Sequence, residues 1–230
     1  GFASITVATI LIGVFTLFAW TIYRKRNLSH GILFLFGVTL IVGLVTWRNF
    51  EVGKDNVLIS SNSGVNFFIG NNEKYDETIN IRAGWQWDKL VNQPSSLGIE
   101  LPSEKSTFFW RSSFDFIKKN PIDYVLLQLR KTWELFNGYE KGRNQDIYFW
   151  RNYSEVLSLL LWDYGLAFPF GLISPLALIG LVRYCKQFNN FGGLYIFTYV
   201  LAMVMFFPTA RYRIVIIPLL LIFFAQTCFW

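Results

Sequence analysis

Phe207-Pro208-Thr209-Ala210-Arg211-Tyr212-Arg213, followed at once by Ile214-Val215-Ile216-Ile217-Pro218-Leu219-Leu220-Leu221-Ile222-Phe223-Phe224-Ala225, decides the fold class. Two guanidiniums flank a tyrosine in a short gap between hydrophobic segments, a setting where charge is costly. Either the arginines snorkel to headgroups at two helix ends, or they meet a lipid-borne phosphate. Outward from this gap, uncharged stretches cover residues 2–23, 31–47, 164–182, 191–210 and 214–230. Each reaches the ~17 residues that span a bilayer core with modest adjustment. The composition agrees, with 53% hydrophobic, 19% aromatic and only 16% charged residues. The expected fold is therefore an α-helical polytopic membrane protein, with about five transmembrane helices and a mixed, mainly helical extracytoplasmic domain. Residues 1–47 would form two transmembrane helices with a cytoplasmic hairpin, 48–163 the extracytoplasmic domain, and 164–230 three further transmembrane helices.

The net charge of +6 does not point to nucleic acid once its location is considered. Residues 48–153 hold 14 basic and 13 acidic side chains, so the excess lies beside the spans, in Arg24, Lys25, Arg26, Arg183, Lys186, Arg211 and Arg213. That distribution is a topology signal. It places the connections around Arg24-Lys25-Arg26 and Arg183 in the cytoplasm, and the large middle segment, Arg211 and Arg213 outside. The expected location is the cytoplasmic (inner) membrane. Gly1 and Trp230 both abut hydrophobic spans, which suggests a piece of a longer polypeptide. Cys185 and Cys228 fall near cytoplasmic ends, so no disulfide is expected. The sole histidine, His30, reads as a solvated loop residue on the other side from the large segment, which disfavours a zinc site there. No cofactor is predicted, and dependence on a divalent metal stays open.

Within the middle segment, Asn56-Val57-Leu58-Ile59-Ser60 reads as a short strand. The stretch Gly64-Val65-Asn66-Phe67-Phe68-Ile69-Gly70-Asn71-Asn72 reads as a tight turn that brings amides close to a polar ligand, or as a loop with ordinary turn chemistry. Trp85 and Trp87 suit either a sugar platform or core packing. Ser103 caps a helix running to about Lys119. Asn120-Pro121 breaks it and starts a second helix, with Ile122, Val125, Leu126, Leu129, Trp133 and Phe136 on one face. That face packs on the domain or lies along the membrane surface, and Asn137-Gly138 ends the helix. Next comes a stretch from Tyr139 to Tyr153, dense in charges, amides and aromatics, and then a short helix over 155–162.

No GxGxxG, P-loop, HExxH, GxSxG or CxxC pattern is present, which removes support for the common nucleotide, metalloprotease, hydrolase and redox readings. The outer-face arginines, amides and carboxylates suit group transfer from a lipid phosphate. Arginine offers the leaving phosphate a planar donor fork, and an acceptor hydroxyl needs a carboxylate base.

Four patches in order, namely Gly64 to Asn72, Glu140-Lys141-Gly142-Arg143-Asn144, Pro175-Leu176-Ala177-Leu178-Ile179-Gly180, and Ala210-Arg211-Tyr212-Arg213 with Pro218, carry a family resemblance. The chain resembles the C-terminal part of bacterial family 39 glycosyltransferases, relatives of the dolichyl-phosphate-mannose protein mannosyltransferases in the GT-C superfamily. The resemblance implies inverting transfer of a sugar from a polyprenyl-phosphate donor to a lipid, glycan or protein acceptor on the extracytoplasmic face. It also implies that the catalytic carboxylate sits in an earlier external loop, outside this sequence. Within it, Glu140 is the candidate acidic residue, with Arg143 and Asn144 beside it. Arg211 and Arg213 are candidates for the donor phosphate, Tyr212 for orienting them, and Asn66, Asn71 and Asn72 for further substrate contacts. The expected partners are the polyprenyl-linked donor and membrane lipid. A polymerase or ligase acting on polyprenyl-diphosphate glycans, and a non-catalytic transporter or scaffold, are the alternative readings.

Overall fold

The computed structural model describes residues 10–25, 28–142, 146–162, 166–184 and 191–229. Among them every regular element is a helix and there is no strand. The helices are α1 (Ile10–Lys25), α2 (Leu28–Gly53), α3 (Ser63–Gly70), α4 (Tyr75–Ile79), α5 (Trp85–Val91), α6 (Pro102–Lys119), α7 (Pro121–Phe136), α8 (Ile147–Arg151), α9 (Glu155–Leu160), α10 (Phe170–Tyr184), α11 (Phe191–Met205), α12 (Ala210–Arg213) and α13 (Ile217–Cys228).

One helix, over Ser29–Gly53, is long and apolar enough to cross a membrane, and shorter apolar helices cover Ile12–Tyr23, Phe170–Tyr184, Gly192–Met205 and Ile217–Cys228. These five lie where the uncharged stretches predict spans. This apolar helical content associates the chain with a membrane. His30 belongs to the first turn of α2 rather than to a loop, and it is exposed.

The apolar helices pack through small residues, which let backbones approach closely. A Cβ added at Gly180 on α10 would lie 2.1 Å from the Phe223 carbonyl oxygen of α13. On the same pair, the Thr227 hydroxyl donates to the Leu176 carbonyl at 2.9 Å. Thr16 of α1 shares a hydrogen bond with Thr198 of α11 at 2.8 Å. Leu135, Phe170, Ala177, Ile196, Tyr199, Ile216, Leu220 and Phe223 form the core of this bundle.

A second core, of Val65, Ile69, Tyr75, Ile79, Phe109 and Phe207, belongs to the middle segment. Here α3 lies against α6. A Cβ at Gly64 would meet the Ser106 carbonyl oxygen at 2.0 Å, and Phe67 stacks on Trp110 at 4.1 Å. The expected turn over Gly64 to Asn72 is thus a helix, because its glycines serve close helix packing rather than turn geometry. The expected strand over 56–60 is absent, since side chains of α2 take its carbonyls: Thr46 donates to Leu58 O at 2.8 Å and Asn49 to Val57 O at 3.1 Å. Two helices form as expected over 102–119 and 121–136, separated at Asn120. The first is capped differently, for Ser103 lies inside it and donates both its amide and its hydroxyl to the Asp55 carboxylate. Trp87 packs against the second core while Trp85 is exposed.

Candidate functional site

The segment from Phe206 to Arg213 joins the two cores. Phe207 belongs to the core of the middle segment, and Tyr212 packs against both cores. Pro208 ends the continuity of the apolar helices, and α12 follows as a single turn. In a helix, residues two apart point about 200° from one another. Arg211 and Arg213 are therefore turned to opposite sides, one exposed and the other buried.

Arg213 is held entirely from within. Its guanidinium donates to Glu140 Oε1 at 2.5 Å, to the Glu134 carbonyl at 2.7 Å and to the Tyr139 carbonyl at 3.0 Å. Its carbon centre also lies 5.3 Å from the Phe170 ring centroid. Glu140 in turn accepts from the Ala210 amide, so both ends of α12 grip one carboxylate. Burial pushes the Glu140 carboxyl upward, against the pull of Arg213 and that amide. This constellation fastens the last turn of α7 and the connection after it to α12, and it leaves Glu140 engaged as an ion-pair partner. Gly138 makes the approach feasible. It adopts φ +78, and a Cβ there would lie 2.6 Å from the Gly171 amide nitrogen.

Arg211 is the contrasting case. It is exposed, its Nη2 donates to the Tyr212 hydroxyl at 3.4 Å, and its guanidinium lies 5.3 Å from that ring's centroid. No described carboxylate pairs with it.

Asn71 and Asn72 are buried and their amides are internally bonded. Asn71 donates to Phe67 O and to Met205 O, both at 2.8 Å, and its side-chain oxygen accepts from Gln128 and Lys131 at 3.0 Å. Asn72 donates to Phe68 O at 2.7 Å and to Thr78 Oγ1 at 2.9 Å, and accepts the Lys74 amide at 2.7 Å. The pair closes the C-terminal end of α3 and ties it to α11. Asn66 lies on α3, half-buried and apart from this network. Arg143 and Asn144 lie outside the described residues.

The structure adds a polar cluster that the sequence reading passed over. Glu134, nearly buried, accepts from Tyr75 Oη at 2.8 Å, from Arg130 Nε at 3.0 Å and from Lys141 Nζ at 2.9 Å. Arg130 also grips Asp76 with both terminal nitrogens, which holds that carboxyl below its usual range. Burial, with Glu134 alongside, raises the Tyr75 hydroxyl well above the ordinary phenol value and keeps it a hydrogen-bond donor. Lys131 is fully buried, and its ammonium donates to Gly70 O and Asn71 Oδ1 at 3.0 Å and to Phe206 O at 3.2 Å. Burial drives its pKa down to about 7, opposed by Glu134. A sequence signal did exist for this cluster. Glu134 follows Lys131 by three residues and Arg130 by four on one amphipathic helix, with Lys141 seven residues further on.

Taken together, Arg130, Lys141, Arg211 and Arg213 outnumber Asp76, Glu134 and Glu140 in this region, a slight excess of cations over carboxylates. Such an excess favours an anion. Among the described residues no three His, Cys, Asp or Glu side chains gather as metal ligands. No family model, no curated protein and no solved structure matches this chain.

Proposed function

We propose that this chain is part of a polytopic membrane glycosyltransferase, which moves a sugar from a polyprenyl-phosphate donor to an acceptor on the extracytoplasmic face. The observation that supports this reading most is Arg211. It is exposed, braced by Tyr212, without a described carboxylate, and located where the apolar bundle meets the middle domain. A lipid-borne phosphate is presented at that level of a bilayer, and a guanidinium fork matches its oxygens. The family resemblance of the four sequence patches points the same way.

In this reading the acceptor oxygen attacks the anomeric carbon, the bond from that carbon to the phosphate oxygen breaks, and the phosphate leaves with the electron pair. Arg211 neutralises the charge that develops on the leaving group. Arg213 is a positioning residue, which holds α12 and so the orientation of its neighbour. Glu140 and Glu134 are each bound by cations, and the acceptor's proton goes to a carboxylate outside this sequence, as the resemblance implies.

The test is Arg211→Ala in the full-length protein, assayed for transfer from a polyprenyl-phosphate sugar. One lost charge-assisted contact corresponds to about 1.5–3 kcal/mol, and thus a fall in kcat/KM of roughly 10- to 100-fold, with normal membrane insertion and melting. Unchanged transfer by a normally inserted protein would overturn the assignment.

A further inference from the structure

The apolar face of α7 points away from the protein. Ile122, Val125, Leu126, Leu129 and Trp133 lie along one side of the helix, with Ile122 75%, Leu129 62% and Trp133 57% exposed. The opposite side carries the buried Lys131, Glu134 and Leu135. A soluble domain would place these two faces the other way round. The charged side is instead roofed by the end of α3, by α4 and by the Phe206 carbonyl, so the domain lies over the helix and leaves its apolar side exposed.

That apolar side has a continuation. Leu129, Trp133 and Phe136 line an open groove of about 510 Å³, closed on its far wall by Pro175 and Leu178 of α10. Beyond the groove, α10 exposes Leu172, Leu176 and Ile179. The end of α7 is fastened to the start of α10, for Ser174 donates to Phe136 O at 2.6 Å and the Ala167 amide to Asn137 O at 2.7 Å. The unpartnered surface of α7 is thus continuous with the unpartnered surface of an apolar bundle helix. Lys118 and Lys119, both exposed, precede α7 at the end of α6 and offer anionic headgroups two cations.

We infer that α7 is an in-plane membrane helix: lipid acyl chains cover Ile122, Val125, Leu126, Leu129 and Trp133 and fill the groove against α10. Helices of this kind lie with the apolar face ~5–10 Å into the headgroup–acyl boundary. Fluid chains cover both a helical ridge and the adjoining wedge, whereas a second copy of this chain would have to complement both shapes at once. The inference goes beyond the proposed transfer reaction, and needs only that the bundle is in a bilayer. It gives α7 a mechanical role, because the depth of α7 fixes the height of Lys131, Asn71 and α12 above the acyl layer.

The experiment uses the full-length protein with Cys185→Ala and Cys228→Ala, reconstituted in phosphatidylcholine–phosphatidylglycerol bilayers. Single nitroxide labels are placed by Ile122→Cys, Val125→Cys, Leu129→Cys and Trp133→Cys. Leu40→Cys on α2 and Lys74→Cys on the domain serve as references. Collision with oxygen is compared with collision with a water-soluble nickel chelate. The expected result is an oxygen-to-nickel ratio at all four α7 sites that is several-fold above Lys74 and on the side of Leu40, with the four sites at one shallow depth. Ratios like that of Lys74 would overturn the inference, as would sites shielded from both reagents and broadened by label–label coupling, which is the signature of a second copy. In both cases a lipid-exposed Leu40 would leave the membrane reading standing. An aqueous Leu40 would remove that reading and the inference together.

Discussion

Arg211 and Arg213 are two residues apart and have different physical roles. Arg213 is buried with three oxygen partners, so Arg213→Ala strands the Glu140 carboxylate and two carbonyls in a poorly solvated pocket. Removing one member of a buried pair costs about 3–5 kcal/mol. The expected outcome is a marked fall in melting temperature in detergent, whereas Arg211→Ala melts like the parent. Lys131 supplies a second prediction. Its folded-state pKa is drawn down to about 7 from the ordinary 10.5. Between those values the unfolded chain holds a proton that the native state has lost, so stability rises as pH climbs from 7 towards 10.5. Below pH 7 both states are charged, and this contribution no longer changes. Thermal melts from pH 6.5 to 9.5 should show the rise, and Lys131→Met should flatten it. The two arginines were visible in the sequence as a costly pair, but their division into a buried strut and an exposed cation was not. That division depends on α12 being helical, and on Glu140 arriving from seventy residues away.

At the scale of elements, the proline and asparagine punctuation around 102–121 made two helices legible, because helix breaks are local chemistry. Glycine and asparagine ordinarily mark a turn or loop, which is what the residues from Gly64 to Asn72 predict on their own. Only the docking of α3 against α6, some forty positions on, and against the Phe206 carbonyl, more than a hundred positions on, explains these residues. A Cβ at Gly70 would lie 1.7 Å from Phe206 O, with backbone on both sides of the clash. Gly70→Ala should therefore destabilise the protein by about 1–3 kcal/mol, as overpacking does. Gly43→Ala, which has nothing within 4 Å, should be close to neutral in the same melts. The α7 periodicity was equally plain, but not its direction: its charged side is the inner one, satisfied by Tyr75, Asn71 and main-chain oxygens brought together by the fold.

At the scale of the molecule, an apolar bundle and a helical domain are joined along a seam of hydrogen bonds and shared packing. Asn71 bonds Met205 O, Lys131 bonds Phe206 O, and Tyr212 contacts both cores. The same seam carries the excess of positive charge and the exposed Arg211. Uncharged runs in the sequence mark the apolar helices, and Arg211 with Arg213 marks the seam. Of the Glu134 cluster, sequence spacing shows the α7 members Arg130 and Glu134, whereas Tyr75 and Asp76 of α4 and Lys141 of the following connection join them only in the fold. The central claim is that this seam binds a lipid-borne phosphate through Arg211. Its most direct test is equilibrium binding of a polyprenyl phosphate, with the matching polyprenyl alcohol as competitor, to the full-length protein in nanodiscs. The account predicts that the phosphate binds, that the alcohol fails to displace it, and that Arg211→Ala weakens binding by roughly 10-fold or more while melting is unchanged. Equal binding by the parent and Arg211→Ala, or displacement by the alcohol as readily as by the phosphate, would contradict it.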